Sequence, residues 1–145
     1  MILLDTCVVS ELARAVPDAR VLAWFDSVEE ASLWLSVLTI GEIAKGAALL
    51  DPGPRRERIH AWLDALTTWF SPRILAVDEV VARRWGVISA ETRRAGQSRP
   101  PVDALLAATA LAHGLRLATR NISDFSGMGA ELVNPWDGPG SNPAP

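Results

Sequence analysis

The sequence predicts an α/β fold: a single domain whose central, mostly parallel sheet is flanked by helices. Three observations carry that reading. Short apolar runs alternate along the chain with longer segments of helical periodicity, as in successive strand–helix–strand units. The first run is continuously apolar rather than alternating, which marks a strand covered on both faces. A length of 145 residues suits one domain, large enough to bury about two thirds of the surface its unfolded chain exposes.

The elements follow in order. Ile2, Leu3 and Leu4 form a strand that stops on Asp5. Val8 to Ala15 makes a short helix before Pro17, with Asp5 or Thr6 available to cap it, and Asp18 caps a second helix to about Ser27. SLWLSV, residues 32–37, is the second strand. Thr39 then begins TIGEIAKGAALL, whose apolar residues recur at helical spacing despite Gly41 and Gly46.

DPGP, residues 51–54, is a turn. Ile59, Trp62, Leu63, Leu66 and Phe70 give the apolar side of a helix that Pro72 ends. ILAV, residues 74–77, reads as a strand, and Asp78 caps the helix carrying Val81, Trp85 and Ile88. After Gly96 and the RPP of residues 99–101, VDALLAATALAH is apolar around nearly its whole circumference, as a helix buried against the sheet or a second subunit is. LRLAT, residues 115–119, is a strand, RNISDFSG a connection, and ELV, residues 131–133, a last strand. The domain thus runs over 1–136, and 137–145 form a Pro/Gly-rich tail.

Composition narrows the function classes. The formal charge of −3 gives no overall attraction to nucleic acid, although Arg55, Arg56 and Arg58 cluster, as do Arg93, Arg94 and Arg99. Such clusters are compatible with phosphate binding and equally with a solvated face. Cys7 is the one cysteine, so no intrachain disulfide forms, and no Cys/His spacing suits zinc. No signal peptide and no apolar stretch near the roughly 20 residues of a membrane span are present, which predicts a soluble, cytoplasmic protein without a membrane partner. A Gly-rich nucleotide fingerprint and a Walker A loop are also missing.

The informative pattern is where the acids fall. Asp5 follows a strand, Glu42 and Asp103 lie in first helical turns, and Asp124 follows the strand of residues 115–119 through a short loop. Open parallel sheets collect ligands beyond the carboxyl ends of their strands, so the four can converge there. Each also has an ordinary alternative. Thr39-x-x-Glu42 has capping-box spacing, Asp103 favours the positive end of its helix, and Asp124 suits a turn or cap.

Carboxylates forced together repel unless a cation neutralises them. An oxygen-only set without His or Cys suits Mg²⁺ or Mn²⁺, and such an ion can orient water and polarise a phosphate. Thr6, Thr119 and Asn121 stand beside these acids as candidate supporting groups, or as ordinary turn residues. His113 precedes Gly114 at a helix end, Ser10 lacks a His partner, and Cys7 beside carboxylates reads as a small packed side chain rather than a nucleophile.

MILLDTCVVSEL, TIGEIAKG, PVDALLAATAL and LATRNISDFSGMG followed by LVNPW together resemble the PIN-domain family, in particular the bacterial VapC/FitB-type toxins of toxin–antitoxin pairs. The resemblance runs from Met1 to about Trp136, with the four acids in family order. It implies a Mg²⁺-dependent endoribonuclease in which Asp5, Glu42, Asp103 and Asp124 are catalytic metal ligands, with Thr119 or Asn121 as auxiliary polar residue. It further implies an RNA substrate, a homodimer, and a cognate antitoxin protein whose C-terminal segment occupies a groove near the site.

One departure stands inside the opening motif. The family commonly has Asn where this chain has Cys7, and a thiol is a weaker hydrogen-bond partner than an amide. If that amide orients Asp5, metal affinity or rate is reduced, and a PIN-like protein that only binds a partner is the extreme case. A metal-dependent DNA nuclease is the enzymatic rival. A haloacid-dehalogenase-like phosphatase fits poorly, since Asp5 is followed by Thr6 and Cys7 rather than by Asp-x-Asp.

Overall fold

Five strands assemble in the order β3-β2-β1-β4-β5, and every pair among them is parallel. The computed structural model describes residues 1–140. The strands are β1 (Ile2–Leu4), β2 (Leu33–Ser36), β3 (Ile74–Leu75), β4 (Arg116–Ala118) and β5 (Leu132–Val133). The helices are α1 (Thr6–Leu12), α2 (Ala19–Asp26), α3 (Val37–Ala48), α4 (Pro54–Phe70), α5 (Glu79–Arg94), α6 (Pro101–Ala112) and the single turn α7 (Ile122–Phe125). Of the tail expected over 137–145, Asp137 belongs to a 3₁₀ turn, Pro135–Asp137, and residues 141–145 lie outside the described residues.

Alternation along the strands splits the core in two. Ile2 and Leu4 of β1, with Leu33 and Leu35 of β2, pack against Val8, Val9, Trp24, Ile43 and Leu66 on one side of the sheet. Leu3 and Leu117 face the other way, against Val81, Ile88, Leu106 and the buried alanines of α6. Successive side chains of a strand point to opposite faces, so a three-residue strand serves both layers. This double cover is why β1 reads as an unbroken apolar run.

Two helix starts differ from the sequence reading. Helix α1 begins at Thr6, because the backbone carbonyl of Asp5 already accepts from the N–H groups of Val8 and Val9. Helix α3 begins at Val37, capped by Ser36, whose hydroxyl accepts from the Leu38 N–H at 3.1 Å. Thr39 therefore lies inside the helix, fully buried, and donates to the Leu4 carbonyl across the sheet at 3.2 Å. The capping-box alternative for Thr39 and Glu42 falls with it: a tertiary acceptor has taken the hydroxyl. The Asp18 and Asp78 caps form as expected, on the N–H groups of Arg20 and Val81.

Candidate active site

The strand order reverses beside β1. From β1 the chain builds outward to β2 and β3, then returns to lay β4 and β5 on the other side. The carboxyl ends of β1 and β4 therefore meet at a switch point, where parallel sheets open a crevice. Asp5 stands there, its N–H extending the β1–β4 ladder to the Ala118 carbonyl at 3.0 Å.

Asp5 occupies the N-cap position of α1, yet its side chain makes no capping bond. It is buried, at 7% exposure, and its Oδ2 accepts from two donors. The Thr119 hydroxyl donates at 2.6 Å and the Cys7 thiol at 3.1 Å. A cap bond to the backbone thus gives way to two side-chain donors, Thr119 on the loop after β4 and Cys7 on α1.

Glu42 projects from the second turn of α3, and its Oε2 accepts from the Thr6 hydroxyl. Asp103 lies in the first turn of α6, which Pro101 opens at a position where its missing N–H leaves no gap. Asp124 sits on α7, with the Ser123 hydroxyl 3.4 Å from its Oδ1. Asn121 acts through its backbone: its N–H donates to the Thr119 hydroxyl at 3.0 Å, and its carbonyl accepts from the Asp124 N–H at 3.0 Å.

Electrostatics join the four acids. Partial burial raises the pKa of Asp103, and the neighbouring charges of Asp5, Asp124 and Glu42 raise it further. Asp103 thus feels the charge of all three other acids.

The donor set is all oxygen. Among the described residues, no three His, Cys, Asp or Glu side chains form a group arranged to hold one metal ion directly. Oxygen donors are the kind that hard divalent cations such as Mg²⁺ take, usually one or two carboxylates with the rest of the shell water. Mutual repulsion, evident at Asp103, is the debt that such a cation relieves.

Two residues that the sequence reading named for other reasons take part here. Cys7 packs partly buried, as expected, but also donates to Asp5, and burial followed by the Asp5 charge pushes its thiol up to about 11. Arg99 is drawn away from a phosphate-binding role: its guanidinium donates to the Ser123 carbonyl at 3.0 Å and the Ser126 carbonyl at 2.9 Å, clamping the loop that carries Asp124. Only the folded chain brings residue 99 against residue 123, so no local signal marks it.

A groove of about 1070 Å³ starts at Thr6 and Glu42 and runs between α1, α3 and α4. Ile59 and Trp62 give it an apolar wall, and Arg55 and Arg58 line it. The Arg55 cluster thus borders the acidic site. No helix among the described residues is long and apolar enough to cross a membrane.

Comparison with known proteins agrees with this architecture. The model of the PIN domain matches residues 2–129. The Toxin FitB of Neisseria gonorrhoeae is 38% identical over 137 residues, 94% of this chain and 99% of the relative. VapC ribonuclease Y4jK of Sinorhizobium fredii is 37% identical over 138 residues, again 94% of this chain and 99% of the relative. The crystal structure of FitAcB from Neisseria gonorrhoeae superposes with a TM-score of 0.87 at 38% identity, covering 94% of this chain and 99% of that one. The chain belongs to the PIN-domain family.

Proposed function

We propose that this protein is a Mg²⁺-dependent endoribonuclease and the toxin of a toxin–antitoxin pair, acting in the cytoplasm. The observation that carries the reading is the electrostatic coupling of Asp103 to Asp5, Asp124 and Glu42, beside the carboxyl ends of the strands, in a chain whose full-length relatives are named as a ribonuclease and a toxin.

Asp5, Glu42, Asp103 and Asp124 hold one or two Mg²⁺ ions, directly or through water, with Mn²⁺ as a substitute. A divalent cation held by these carboxylates would supply Lewis-acid chemistry toward a phosphate and its attacking water. Thr119 and Thr6 each fix one oxygen of Asp5 and Glu42, leaving the other oxygen for the cation. Arg55 and Arg58, exposed beside the crevice, meet the RNA backbone, and the cognate antitoxin competes for the same groove. The toxin acts as a homodimer, and the catalytic domain ends near Trp136, the last large side chain in the core.

The test is cleavage of a pool of cellular tRNA, rRNA and mRNA by the antitoxin-free protein, with Mg²⁺ or Mn²⁺ against EDTA and with Asp5→Asn in parallel. Metal-dependent products absent from the variant are expected. Equal cleavage by Asp5→Asn, or cleavage of DNA but not RNA by the wild type, overturns the proposal.

A further inference from the structure

The loop after β4 is joined to Asp5 by two parallel relays. In one, the Asn121 N–H donates to the Thr119 hydroxyl at 3.0 Å, which donates to Asp5 Oδ2 at 2.6 Å. In the other, the Arg120 N–H donates to the Cys7 sulfur at 3.4 Å, and the Cys7 thiol donates to the same Oδ2 at 3.1 Å. The two middle atoms, Cys7 Sγ and Thr119 Oγ1, lie 3.7 Å apart.

Direction is built into this arrangement. A backbone N–H can only donate, so each consecutive amide occupies a lone pair of its sulfur or oxygen and leaves that group's hydrogen for the carboxylate. Both hydrogens then converge on one oxygen of a side chain that is 7% exposed. A carboxylate held by two donors on Oδ2 has lost its freedom to rotate, and Oδ1 is left to bind.

From this geometry we propose that Cys7 is a positioning residue for Asp5: its thiol, aimed by the Arg120 amide, locks Asp5 to present Oδ1 alone to the divalent cation. This rests on the acidic cluster being the metal site and assigns Cys7 a task within it. The thiol has to accept from one neighbour and donate to another. Serine can do both, whereas alanine and valine can do neither. The sequence leaves open whether Cys7 weakens the site; this proposal gives the thiol a supporting task instead.

The test is Mn²⁺ binding, followed as loss of the free-ion electron paramagnetic resonance signal, by full-length antitoxin-free protein carrying Cys7→Ala, Cys7→Val, Cys7→Ser or Asp5→Asn. Thermal unfolding of each metal-free variant is recorded alongside. Removing a group that orients a metal ligand typically costs 10–100-fold in affinity; a thiol sharing the task with Thr119 belongs at the low end, so Cys7→Ala and Cys7→Val should each bind about tenfold more weakly. Cys7→Ser should recover most of that loss whatever its unfolding temperature, a rescue that mere packing does not produce. Wild-type Mn²⁺ affinity in Cys7→Ala or Cys7→Val, or equal weakening in all three Cys7 variants, overturns the proposal while leaving the site assignment intact. Unchanged Mn²⁺ binding by Asp5→Asn overturns the metal site itself, and the role of Cys7 with it.

Discussion

Asp103 is the residue at which chemistry and stability pull apart. Its raised pKa means that the folded protein holds a proton there more tightly than the unfolded chain does. That contribution to stability is fully present below the ordinary Asp pKa, about 3.9, and is lost as pH rises through the higher folded value. At neutral pH and without metal, the ionised group therefore works against the fold. Asp103→Asn should abolish cleavage yet melt at a higher temperature than the metal-free wild type at pH 7, with the difference closing toward pH 3. Thermal unfolding in EDTA across that range checks it; a lower melting temperature for the variant at pH 7 contradicts the crowding described here. Thr119→Val removes the shorter of the two bonds to Asp5 and should lower kcat at least tenfold, with little change in KM because no substrate contact is lost.

Among the elements, α6 joins the second core to the site. Leu106 is buried at 2% exposure and Ala107, Ala108 and Ala110 at 0%, so the helix lies in the core on nearly every side, as its sequence indicates. Leu106→Ala should cost about 3.5 kcal/mol in urea unfolding, the middle of the range for buried leucines. Ser36→Ala, which removes the cap of α3, should cost about 1 kcal/mol. Smaller losses would mean that the neighbouring helices close over the gaps.

The elements that sequence alone reveals are those whose signals are local: the apolar run of β1, the Asp18 and Asp78 caps, and the proline that opens α6. The positions of Asp5, Asp103 and Asp124 follow because each is tied to an element end, whereas Glu42 lies in the second turn of α3 and not in the first as the sequence suggests, because the helix starts at Val37. What the sequence hides is long-range. Thr39 has capping-box spacing with Glu42, but its acceptor is the carbonyl of Leu4, and the partner of Glu42 is Thr6. Likewise, the donors that fix Asp5 come partly from residue 119, a separation that no local pattern encodes.

For the molecule as a whole, the net charge of −3 and an acidic crevice work against a polyanionic substrate, so binding has to rest on the arginines beside the crevice. RNA affinity of the inactive Asp103→Asn variant should fall as salt rises, with a slope of about −0.7 per phosphate neutralised on a single strand. Arg58→Ala in that background should make the slope shallower by about 0.7. Filter binding over a series of KCl concentrations reads both values. An unchanged slope would place the RNA path elsewhere on the surface.

The strand order also sets a schedule. β1 precedes every other strand of the sheet in the chain, but one of its two neighbours is β4, and Asp103, Thr119 and Asp124 all lie in the last third of the sequence. A nascent polypeptide shorter than this carries Asp5 and Glu42 with nothing to complete the constellation. If cleavage needs all four acids, a growing chain cannot cut the message that encodes it until the segment through Asp124 has been made.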